Sequence, residues 1–473
     1  MKEAMKKFTK IVATIGPTSD TRSLITALLH AGVNVFRFNM KHNTIAWHEE
    51  RITLVQTIAD ELHIPVGILI DLQGPEIRLE TPEQKEIHVK KGDRYPVTPA
   101  YMPGIQSIVV PNAPVFQVLH VGDAFLIDDG FIEATVVEVN TDGFIIEMKE
   151  DAVIKHRKGV NLPGKHIALP SLISDDLAKL DMAVKHNVDF VALSFTRTKE
   201  DVEILREEMK KRHVDAMIIA KIESQPALDH LVDIITAADG IMIARGDLGI
   251  ETPIERLAYE QKHMILECRR QRKPVIVATQ MLQSMCDNPR PTRAEATDVA
   301  NAVYDFTDAT MLSQESASGQ FPEKSVATMA RILAWNEKHT VPSWVNPTEE
   351  RTTDTIVHAI LPIVTDTKKD AVKAIIVLTE TGYTARCVSS CHPGVPIFAV
   401  SDNEKTIEML TLSYGVKPIF MRFPSDGMIT TTHDVIKELK TKQLIAAGDK
   451  IIFIHGSTWR KSGMTNTVSI MTI

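Results

Sequence analysis

Cysteine is scarce in this sequence, which has 473 residues and four cysteines. A chain of this length that relied on disulfides would carry many more, so the composition excludes a disulfide framework and predicts reduced thiols. Cys387 and Cys391 have the spacing of one helix face, but two thiols alone make a poor metal site. We therefore expect a cytoplasmic protein with free cysteines.

Aromatic residues and an excess of positive charge are also lacking. Aromatics make up 5% of the chain, and the formal net charge is -8. Nucleic-acid binding usually draws on stacking aromatics and basic surfaces, and membrane surfaces attract basic proteins, so we predict neither partner. The apolar stretch nearest the N-terminus, residues 11–15, is too short for a signal peptide, and no run approaches the length of a membrane span.

The sequence contains instead a series of short apolar runs that each end in polar residues. Eight of them occupy residues 10–16, 33–39, 66–74, 189–195, 217–223, 240–249, 274–280 and 309–316. They are rich in Val, Ile and Ala and nearly continuous, as parallel strands buried on both faces are. Helical patterns lie between most of them. Eight strands that alternate with helices predict a (β/α)₈ TIM barrel.

Two regions depart from this rhythm. Residues 75–167 are rich in proline and contain alternating segments such as "FIEATVVEVN", which predict a small β-barrel lid domain inserted into the TIM barrel. After residue 337 five further apolar runs alternate with helical segments, which predicts a C-terminal α/β regulatory domain. The predicted domains are therefore a catalytic barrel of residues 1–74 and 168–336, a lid of residues 75–167, and a regulatory domain of residues 337–473.

Polar and charged residues collect where the predicted barrel strands end. These residues are Arg37, Asn39, Asp71, Ser194, Lys221, Glu223, Arg245, Asp247, Thr279, Ser313 and Glu315. TIM-barrel active sites are built at the carboxyl ends of the strands. Two carboxylates there suit Mg²⁺, and the cations suit phosphoryl oxygens. The pattern indicates metal-assisted phosphoryl chemistry on a small anion.

Each of these residues also has a simpler explanation when taken alone. Lys221 and Glu223 could be a solvated ion pair, "ARGDLG" could be an ordinary turn, and Thr279 could cap a helix. Taken alone, His42 is most often a solvated surface residue, and Ser313 with Glu315 could be a hydrogen-bonded pair beneath the site. Their convergence at one end of a barrel makes the functional interpretation stronger than any single residue does.

Seven longer motifs carry a family resemblance. They are "TKIVATIGP" at 9–17, "DLQGPEIR" at 71–78, "KGVNLPG" at 158–164, "AKIES" at 220–224, "GIMIARGDLGIE" at 240–251, "VATQML" at 277–282 and "NPRPTRAEATDVANAV" at 288–303. In this order they resemble the pyruvate kinase family over essentially the whole chain, and the last motif is long and specific. The resemblance implies a glycolytic enzyme of the bacterial type, without an extra C-terminal domain, that transfers the phosphoryl group of phosphoenolpyruvate to ADP.

The resemblance also implies roles for the matching residues. Glu223 and Asp247 would bind Mg²⁺, with Mn²⁺ as an alternative, and Lys221 would contact the phosphoryl group during transfer. Thr279 would lie near the carbon that is protonated. Substrate contacts would come from Arg37, Lys221, Thr279 and the backbone of Ala244, Arg245, Gly246 and Asp247, and nucleotide contacts from Arg37, His42, Arg78 and Lys158. Arg37 and Arg78 would grip the phosphoryl group, the lid would exclude water, and the assembly would be a homotetramer.

Several residues depart from the usual family pattern, and three of these departures bear on catalysis. Lys41 replaces a serine, Gln73 a lysine, and Gln314 a glycine. These departures leave open a divergent paralogue that acts mainly as a metabolite-binding regulatory protein with weak catalysis. The retained Lys221, Glu223 and Asp247 favour an active enzyme. A different barrel enzyme acting on phosphoenolpyruvate is a third alternative, which the C-terminal domain and the motif at 288–303 disfavour.

Lys41 raises a separate question, because it falls where the family binds a monovalent cation, usually K⁺. The family ligands correspond to Asn39, the Lys41 position, Asp71 and the carbonyl of Leu72. An ammonium there cannot ligate K⁺, so we predict that Lys41 replaces the ion by donating to Asn39, Asp71 and the Leu72 carbonyl. Glu76 complicates this prediction, since potassium-requiring members tend to carry Glu at that position. The alternative is that Lys41 turns outward and the cation site is lost.

The C-terminal domain contains a candidate phosphate site in "IIVLTETGYTARC" at 375–387. Thr379, Thr381 and Thr384 supply hydroxyls, Gly382 allows close approach, and a helix N-terminus favours an anion. In the family the corresponding loop binds the phosphate of a sugar-phosphate or nucleotide effector. Glu380 weakens the case for a doubly phosphorylated sugar. The alternative is a threonine cluster that caps the helix and binds no ligand.

Overall fold

The first part of the chain alternates strands and helices as expected. The structure, a computed structural model, describes residues 7–102, 107–365, 371–422, 428–457, 463 and 465–473. The first elements are β1 (Lys10–Thr14), α1 (Arg22–Ala31), β2 (Val35–Asn39), α2 (Ile45–Leu62) and β3 (Gly67–Asp71). Thr21 caps α1 by accepting the Leu24 N–H, and Gly32 ends the helix at a φ of 113°. These caps fix the two ends of α1 between β1 and β2.

After β3 the chain leaves the barrel to form an inserted region of short strands. These are β4 (Ile87–Val89), β5 (Arg94–Thr98), β6 (Ile108–Val109), the short helix α3 (Val115–Val118), β7 (Ala124–Ile127), β8 (Ile132–Val139), β9 (Phe144–Met148), β10 (Ala152–Ile154) and β11 (Val160–Asn161). Where we expected a small β-barrel, the described residues form a six-stranded sheet, in the order β11-β7-β8-β9-β5-β6, and a separate β10-β4 pair. The apolar core of the insert includes Phe125, Phe144 and Ile146.

The chain then returns to complete the barrel. The elements are α4 (Ser174–Lys185), β12 (Phe190–Leu193), α5 (Lys199–Arg212), β13 (Met217–Ile222), α6 (Gln225–Asp229), α7 (Leu231–Ala237), β14 (Gly240–Ala244), α8 (Arg245–Glu251), α9 (Leu257–Arg270), β15 (Val275–Ala278), α10 (Arg293–Tyr304), β16 (Ala309–Leu312), α11 (Gln314–Ala317) and α12 (Pro322–Asn336). The eight strands close as β1-β16-β15-β14-β13-β12-β3-β2, all parallel. The predicted TIM barrel is therefore confirmed.

The barrel strands are buried because both of their faces are covered. One face points into the barrel, where Val12, Leu69, Phe190 and Ile276 belong to a common apolar cluster. The other face packs against the surrounding helices in a larger cluster. This double burial explains why the strands appear in the sequence as continuous apolar runs rather than as alternating ones.

The C-terminal region forms a second α/β unit. Its elements are α13 (Thr352–Thr365), β17 (Ala374–Leu378), α14 (Tyr383–Ser389), β18 (Ile397–Ser401), α15 (Glu404–Met409), β19 (Val416–Phe420), α16 (Met428–Thr441), β20 (Lys450–Gly456) and β21 (Thr465–Thr472). The sheet order is β19-β18-β17-β20-β21, and only the β20–β21 pair is antiparallel. The predicted C-terminal α/β domain is confirmed as a fold, whereas the three domain boundaries remain predictions. Among the described helices, none has the length and apolar character needed to cross a membrane.

Candidate active site

The barrel brings most of the predicted site residues to one end. Asp71 is the last residue of β3, Lys221 lies near the end of β13, and Glu223 follows that strand. Asp247 lies in the first turn of α8, directly after β14, and Thr279 follows β15. Because the strands are parallel, all of these positions lie at the carboxyl end of the barrel.

Four of the residues form a buried cluster of alternating charges. Arg37 binds Asp71 through Nε at 2.8 Å and Nη2 at 2.7 Å, both to Oδ2. Lys221 Nζ lies 2.8 Å from Glu223 Oε1 and 3.4 Å from Asp71 Oδ1. The side chains of Asp71 and Glu223 are only 1% and 2% exposed. Charges fixed in this way, away from water, are prepared to stabilise charge that develops during a reaction.

The charges in this cluster support one another. Burial opposes the charge on Asp71, but Lys221 and Arg37 outweigh it, so the pKa of this carboxyl lies below its usual value. Burial also opposes the charge on Lys221, yet Asp71 and Glu223 raise its pKa above the usual value. Lys221 therefore keeps its positive charge throughout the neutral pH range.

Two hydroxyl groups hold the cations of the cluster in place. Ser194 Oγ accepts a hydrogen bond from Lys221 Nζ at 2.8 Å and donates one to the Leu72 carbonyl at 2.7 Å. Thr14 Oγ1 accepts from Arg37 Nη1 at 3.0 Å. Sequence reasoning placed Ser194 at a strand end without giving it a role, and it missed Thr14. The position of Thr14 at the end of β1 was the available signal.

Asp247 differs from the other carboxylates, because no described residue donates a hydrogen bond to its side chain. Burial and the nearby Glu223 carboxylate raise its pKa to about 7. A divalent cation between the two carboxylates would remove this repulsion. The described residues contain no cluster of three or more metal-binding side chains. Mg²⁺ needs only one or two carboxylates, since water and substrate oxygens complete its shell, so Glu223 and Asp247 fit this ion.

The loop after β14 is tied to the end of β15. Thr279, at a φ of 69°, accepts a hydrogen bond from the Gly246 N–H through Oγ1 at 2.7 Å. The Arg245 guanidinium turns into the barrel wall, where Nη2 donates to the Thr279 carbonyl at 2.8 Å and pairs with Asp298 at 2.7 Å. The Arg245 side chain thus fixes the loop from within the barrel wall. The Gly246 N–H already has a partner in Thr279 Oγ1. Ala244 is buried at the end of β14.

The predicted nucleotide contacts other than Arg37 have the following positions. Arg78 binds Glu76 Oε2 through Nη2 at 2.8 Å, and Lys158 Nζ binds Asp128 Oδ1 at 2.7 Å. Both cations are about one third exposed. Burial, followed by the nearby Lys41, lowers the pKa of His42, so its ring is neutral at neutral pH. The structure therefore pairs Arg78 and Lys158 with carboxylates of the insert and leaves part of each cation accessible.

Comparisons with known proteins agree with this geometry. The family model for the pyruvate kinase barrel domain matches residues 6–326, and the model for the pyruvate kinase alpha/beta domain matches residues 354–471. The chain belongs to the pyruvate kinase family. It is a phosphotransferase of that family. The resemblance that the seven sequence motifs carry is therefore confirmed.

Individual members of the family match nearly the full chain. A pyruvate kinase from Staphylococcus epidermidis is 38% identical over 473 residues, covering 98% of this chain and 80% of its own length. A pyruvate kinase from Staphylococcus aureus is 37% identical over 471 residues, with the same coverage. The crystal structure of a pyruvate kinase from Cryptosporidium parvum superposes with a TM-score of 0.90 at 32% identity, covering 98% of this chain and 96% of its own.

The predicted contacts of Lys41 are not the ones the structure shows. Its Nζ lies 3.0 Å from Glu76 Oε1, and only its backbone N–H donates to Asn39 Oδ1, at 3.2 Å. Asp71 is already neutralised by Arg37 and Lys221, and the Leu72 carbonyl accepts from Ser194, whereas Glu76 offers an available carboxylate oxygen. The expected bonds from the ammonium to Asn39, Asp71 and Leu72 are therefore wrong. That Lys41 replaces K⁺ stays a prediction.

Two threonines of the C-terminal loop, Thr379 and Thr384, already have hydrogen-bond partners within the protein. Thr379 Oγ1 accepts from the Gly382 N–H at 3.0 Å, and Gly382 has a φ of 79°. Thr384 Oγ1 lies 2.7 Å from Thr465 Oγ1. Thr379 and Thr384 are buried, while Thr381 is exposed. The helix that follows, α14, has only seven residues. Phosphate binding by this loop remains a prediction.

Proposed function

We propose that this chain transfers the phosphoryl group of phosphoenolpyruvate to ADP and so forms pyruvate and ATP in glycolysis. The observation that carries the proposal is the buried Lys221 ammonium, bound to Glu223 and close to Asp71, next to the carboxylate of Asp247. This arrangement offers a fixed cation to a phosphoryl group and two carboxylates to a divalent cation. It favours a working enzyme over a paralogue that only binds metabolites.

Glu223 and Asp247 would hold Mg²⁺, or Mn²⁺ in its place. When bound, this cation would stabilise the negative charge of the substrate enolate. Glu223 is already oriented for this role, because Lys221 binds its Oε1 and the Phe195 N–H donates to its Oε2. Asp247 is held near it at the start of α8.

Other residues of the chain would bind the substrates. Lys221 would contact the phosphoryl group in transit, where its charge counts most. Arg37, held by Asp71, would bind oxygens of the same group together with Arg78. Thr279 would lie beside the carbon that gains a proton. The backbone of residues 244–247 would receive the substrate carboxylate, for which the Gly246 N–H would have to exchange its bond to Thr279 Oγ1. The nucleotide would be bound by Arg37, His42, Arg78 and Lys158.

The insert would act as a lid over these groups. It carries Arg78 and Lys158 and covers a cavity lined by Glu76, Gly159 and Asp247. Water that reached an activated phosphoryl group would hydrolyse it, so a closing lid would protect the transfer to ADP. Opening of the lid would then be needed for exchange of substrates and products.

A coupled assay tests the main proposal. Pyruvate formation should require phosphoenolpyruvate, ADP and a divalent cation together, and a chelator should abolish it. Release of phosphate without ATP formation would instead favour another barrel enzyme acting on phosphoenolpyruvate. Absence of pyruvate with both Mg²⁺ and Mn²⁺ would contradict the proposed activity.

We infer further that the enzyme does not need K⁺. The Lys41 ammonium brings a fixed charge to the region where a monovalent cation would bind, and a fixed charge repels K⁺. Two of the candidate ligands are also occupied, since Asn39 Oδ1 accepts from the Lys41 N–H and the Leu72 carbonyl accepts from Ser194. Lys41 also neutralises Glu76, the residue that complicates the sequence prediction.

The requirement for K⁺ can be measured with two variants of Lys41. Activity in buffer free of Na⁺ and K⁺ should be close to that with K⁺. Lys41→Ser should lower activity and gain a partial response to K⁺, whereas Lys41→Arg, which keeps the charge, should stay indifferent to K⁺. Strong stimulation of the unmodified enzyme by K⁺ would refute the inference.

We also propose that residues 379–384 bind the phosphate of a sugar-phosphate or nucleotide effector, mainly through exposed Thr381 and through rearrangement of Thr384. Common sugar phosphates and nucleoside monophosphates should be screened for an effect on the substrate curve. Thr381→Ala combined with Thr384→Ala should remove the effect and leave unactivated turnover intact, and Thr236→Ala in the barrel should change neither. If no metabolite alters the wild-type curve, the effector proposal fails.

We propose a homotetramer in the cytoplasm, on the family resemblance and on the composition. The four free cysteines, of which three are buried, suit a reducing compartment. Light scattering of the purified protein measures the mass of the assembly. A monomer or a dimer at enzyme concentrations that support full activity would contradict the tetramer.

A further inference from the structure

The backbone at Phe195 has an unfavourable conformation beside the proposed metal site. Phe195 follows β12 and Ser194, and its φ is 54°, in the left-handed region that glycine adopts easily and bulky residues rarely do. Strain of this kind persists only where the surroundings enforce it, and it often has a functional reason. The reason visible here is the Phe195 N–H, which donates to Glu223 Oε2 at 2.7 Å.

This hydrogen bond sets the orientation of a proposed metal ligand. Glu223 Oε1 is bound by Lys221 at 2.8 Å, so the two oxygens of the carboxylate have one donor each. If the Phe195 backbone relaxed to an ordinary φ, its N–H would turn away from Oε2. The carboxylate would then lose one of the two contacts that fix its orientation.

The ring of Phe195 touches the point where the chain leaves the barrel for the insert. We call Gln73 and Gly74 the lid hinge. Their N–H groups donate to the fully buried carboxylate of Asp176, at 3.0 Å and 3.2 Å. A Cβ added to Gly74 would lie 2.9 Å from Phe195 Cδ2 and 3.2 Å from the Ser194 Cβ. The hinge backbone therefore lies directly against the Phe195 ring.

Phe195 also faces the space beneath the insert. It lines the cavity between barrel and insert, together with Glu76 on the insert side and Asp247 on the barrel side. The same residue thus meets the hinge through its ring, the metal ligand through its N–H, and the space under the lid. Such a residue cannot move without affecting all three.

We propose that Phe195 is a positioning residue that couples the lid hinge to the metal ligand Glu223. With the hinge in place, Gly74 supports the ring, the ring keeps the backbone in the left-handed conformation, and the N–H holds Glu223. Displacement of the hinge weakens divalent-cation binding, and by reciprocity a bound cation stabilises the hinge. The proposal rests on the proposed metal site, and it adds a structural link through which the position of the lid hinge affects that site.

The decisive experiment adds a methyl group at the hinge. Gly74→Ala should weaken Mn²⁺ binding to the substrate-free enzyme by about 10-fold, as loss of a contact that orients a metal ligand typically does. Gly164→Ala is the matched control, because Gly164 has a similar φ, 73° against 69°, and no atom lies within 4 Å of its added Cβ. The control should change Mn²⁺ binding by less than about twofold. Electron paramagnetic resonance of free Mn²⁺ measures both.

A double-variant cycle shows whether the ring transmits the effect. In a Phe195→Ala background the added methyl has no ring to displace, so Gly74→Ala should have little further effect on Mn²⁺ binding. Equal effects of Gly74→Ala and Gly164→Ala, or an undiminished effect of Gly74→Ala without the ring, would overturn the proposal. Glu223→Gln distinguishes failure of the proposed metal site from failure of the coupling. If Glu223→Gln abolishes Mn²⁺ binding while Gly74→Ala does not weaken it, the metal site stands and the coupling fails.

A second pair of variants keeps the proposal testable if Gly74→Ala does not fold. Glycine adopts a φ of 54° without strain, whereas alanine does not. Phe195→Gly should therefore retain the N–H contact to Glu223, and with it Mn²⁺ affinity, better than Phe195→Ala. If loss of the ring acted only through packing, the glycine variant would bind Mn²⁺ no better than the alanine variant, and that result would refute the role of the strained backbone.

Discussion

Two groups of buried charges in this molecule differ in how completely they are satisfied. Arg272, just after α9, and Asp354, in the first turn of α13, join the barrel to the C-terminal domain with an Nε to Oδ1 distance of 2.8 Å and side-chain exposures of 2% and 0%. The guanidinium also donates to Ser390 Oγ and to the Val345 carbonyl, at 3.2 Å and 3.1 Å. The second oxygen of Asp354 accepts from Tyr383 Oη at 3.4 Å.

The charge cluster at the carboxyl end of the barrel has one carboxylate more than it has cations. Arg37 and Lys221 neutralise Asp71 and Glu223, but none of the described residues donates to the Asp247 carboxylate, and its pKa rises to about 7. The comparison teaches that buried charge alone does not mark a functional site. A buried pair that satisfies itself connects two domains, while a carboxylate without a donor is prepared for a ligand that carries positive charge.

The largest effect should follow from removing the charge of a carboxylate at the carboxyl end of the barrel. Glu223→Gln and Asp247→Asn should each lower kcat on the order of 10³-fold at saturating Mg²⁺, because the cation loses a charged ligand worth several kcal/mol. Glu251→Gln is a nearby control, since the Glu251 carboxylate accepts a hydrogen bond from Asn161 and is not a proposed metal ligand. Steady-state kinetics and Mn²⁺ binding measure the outcome, and wild-type kcat in either variant would refute the metal assignment.

A large loss of stability, with little loss of activity, should follow at the satisfied pair. Asp354→Asn should destabilise the protein by about 3–5 kcal/mol, because it leaves the Arg272 cation buried without its partner. The exposed pair of Arg22 and Glu61 has a similar length, 2.7 Å, with side-chain exposures of 53% and 55%. Glu61→Gln should therefore cost no more than about 1 kcal/mol. Thermal unfolding compares them, and equal losses would mean that burial of the pair is unimportant.

The sequence allowed a good prediction of the barrel and of the residues at its carboxyl end. Strands buried on both faces produce continuous apolar runs, and parallel pairing then places Asp71, Lys221 and Glu223 together without further information. It did not indicate the pair of Arg272 and Asp354, because the two residues are 82 positions apart and belong to different domains. A contact between two rigid units depends on how their surfaces meet, which no local pattern encodes.

Local conformation was equally hidden from sequence reasoning. Nothing in "LSFTR" at 193–197 indicates that Phe195 adopts a φ of 54° or that its N–H reaches Glu223. For Lys41, the residue was recognised as unusual but its partner was predicted wrongly. A lysine ammonium on four rotatable bonds can reach several carboxylates, and the choice of Glu76 depends on the fact that Asp71 is already neutralised.

A comparison of two lysines separates catalysis from support. Lys221→Met should lower kcat by about 10²-fold with little change in KM for phosphoenolpyruvate, because its charge acts mainly in the transition state. Lys273 Nζ donates to three backbone carbonyls, Ile235, Thr236 and Ala238, at 2.6–2.7 Å and has no role in the proposed reaction. Lys273→Met should lower thermal stability and leave kcat nearly unchanged. A change confined to KM in Lys221→Met would contradict its proposed role.

The smallest predicted effect concerns Lys10, a buried cation at the opposite end of the barrel. Its Nζ donates to the Val416 carbonyl of the C-terminal domain at 2.5 Å, and the residue is 7% exposed. Burial, followed by repulsion from Lys7 and Lys417, lowers its pKa from 10.5 to about 7. Unlike the Arg272 pair, the Lys10 ammonium has no carboxylate bound to it among the residues that the structure describes.

The pH dependence of stability tests this description of Lys10. Between pH 7 and 10.5 the unfolded chain binds the proton that the folded chain has released, so this group's contribution to stability should rise with pH by at most about 1.4 kcal/mol per unit. Below pH 7 both states are protonated and the contribution should be constant. The difference between the melting temperatures of the wild type and of Lys10→Met, here called the gap, should therefore shift in favour of the wild type from pH 7 to 9. Lys85 is exposed and its pKa is raised by hydrogen bonding to Glu83, so the gap to Lys85→Met should stay constant over this range. A constant gap for Lys10→Met as well would mean that Lys10 stays protonated in the folded protein, and that the interface tolerates a buried charge as fully as the Arg272 pair does.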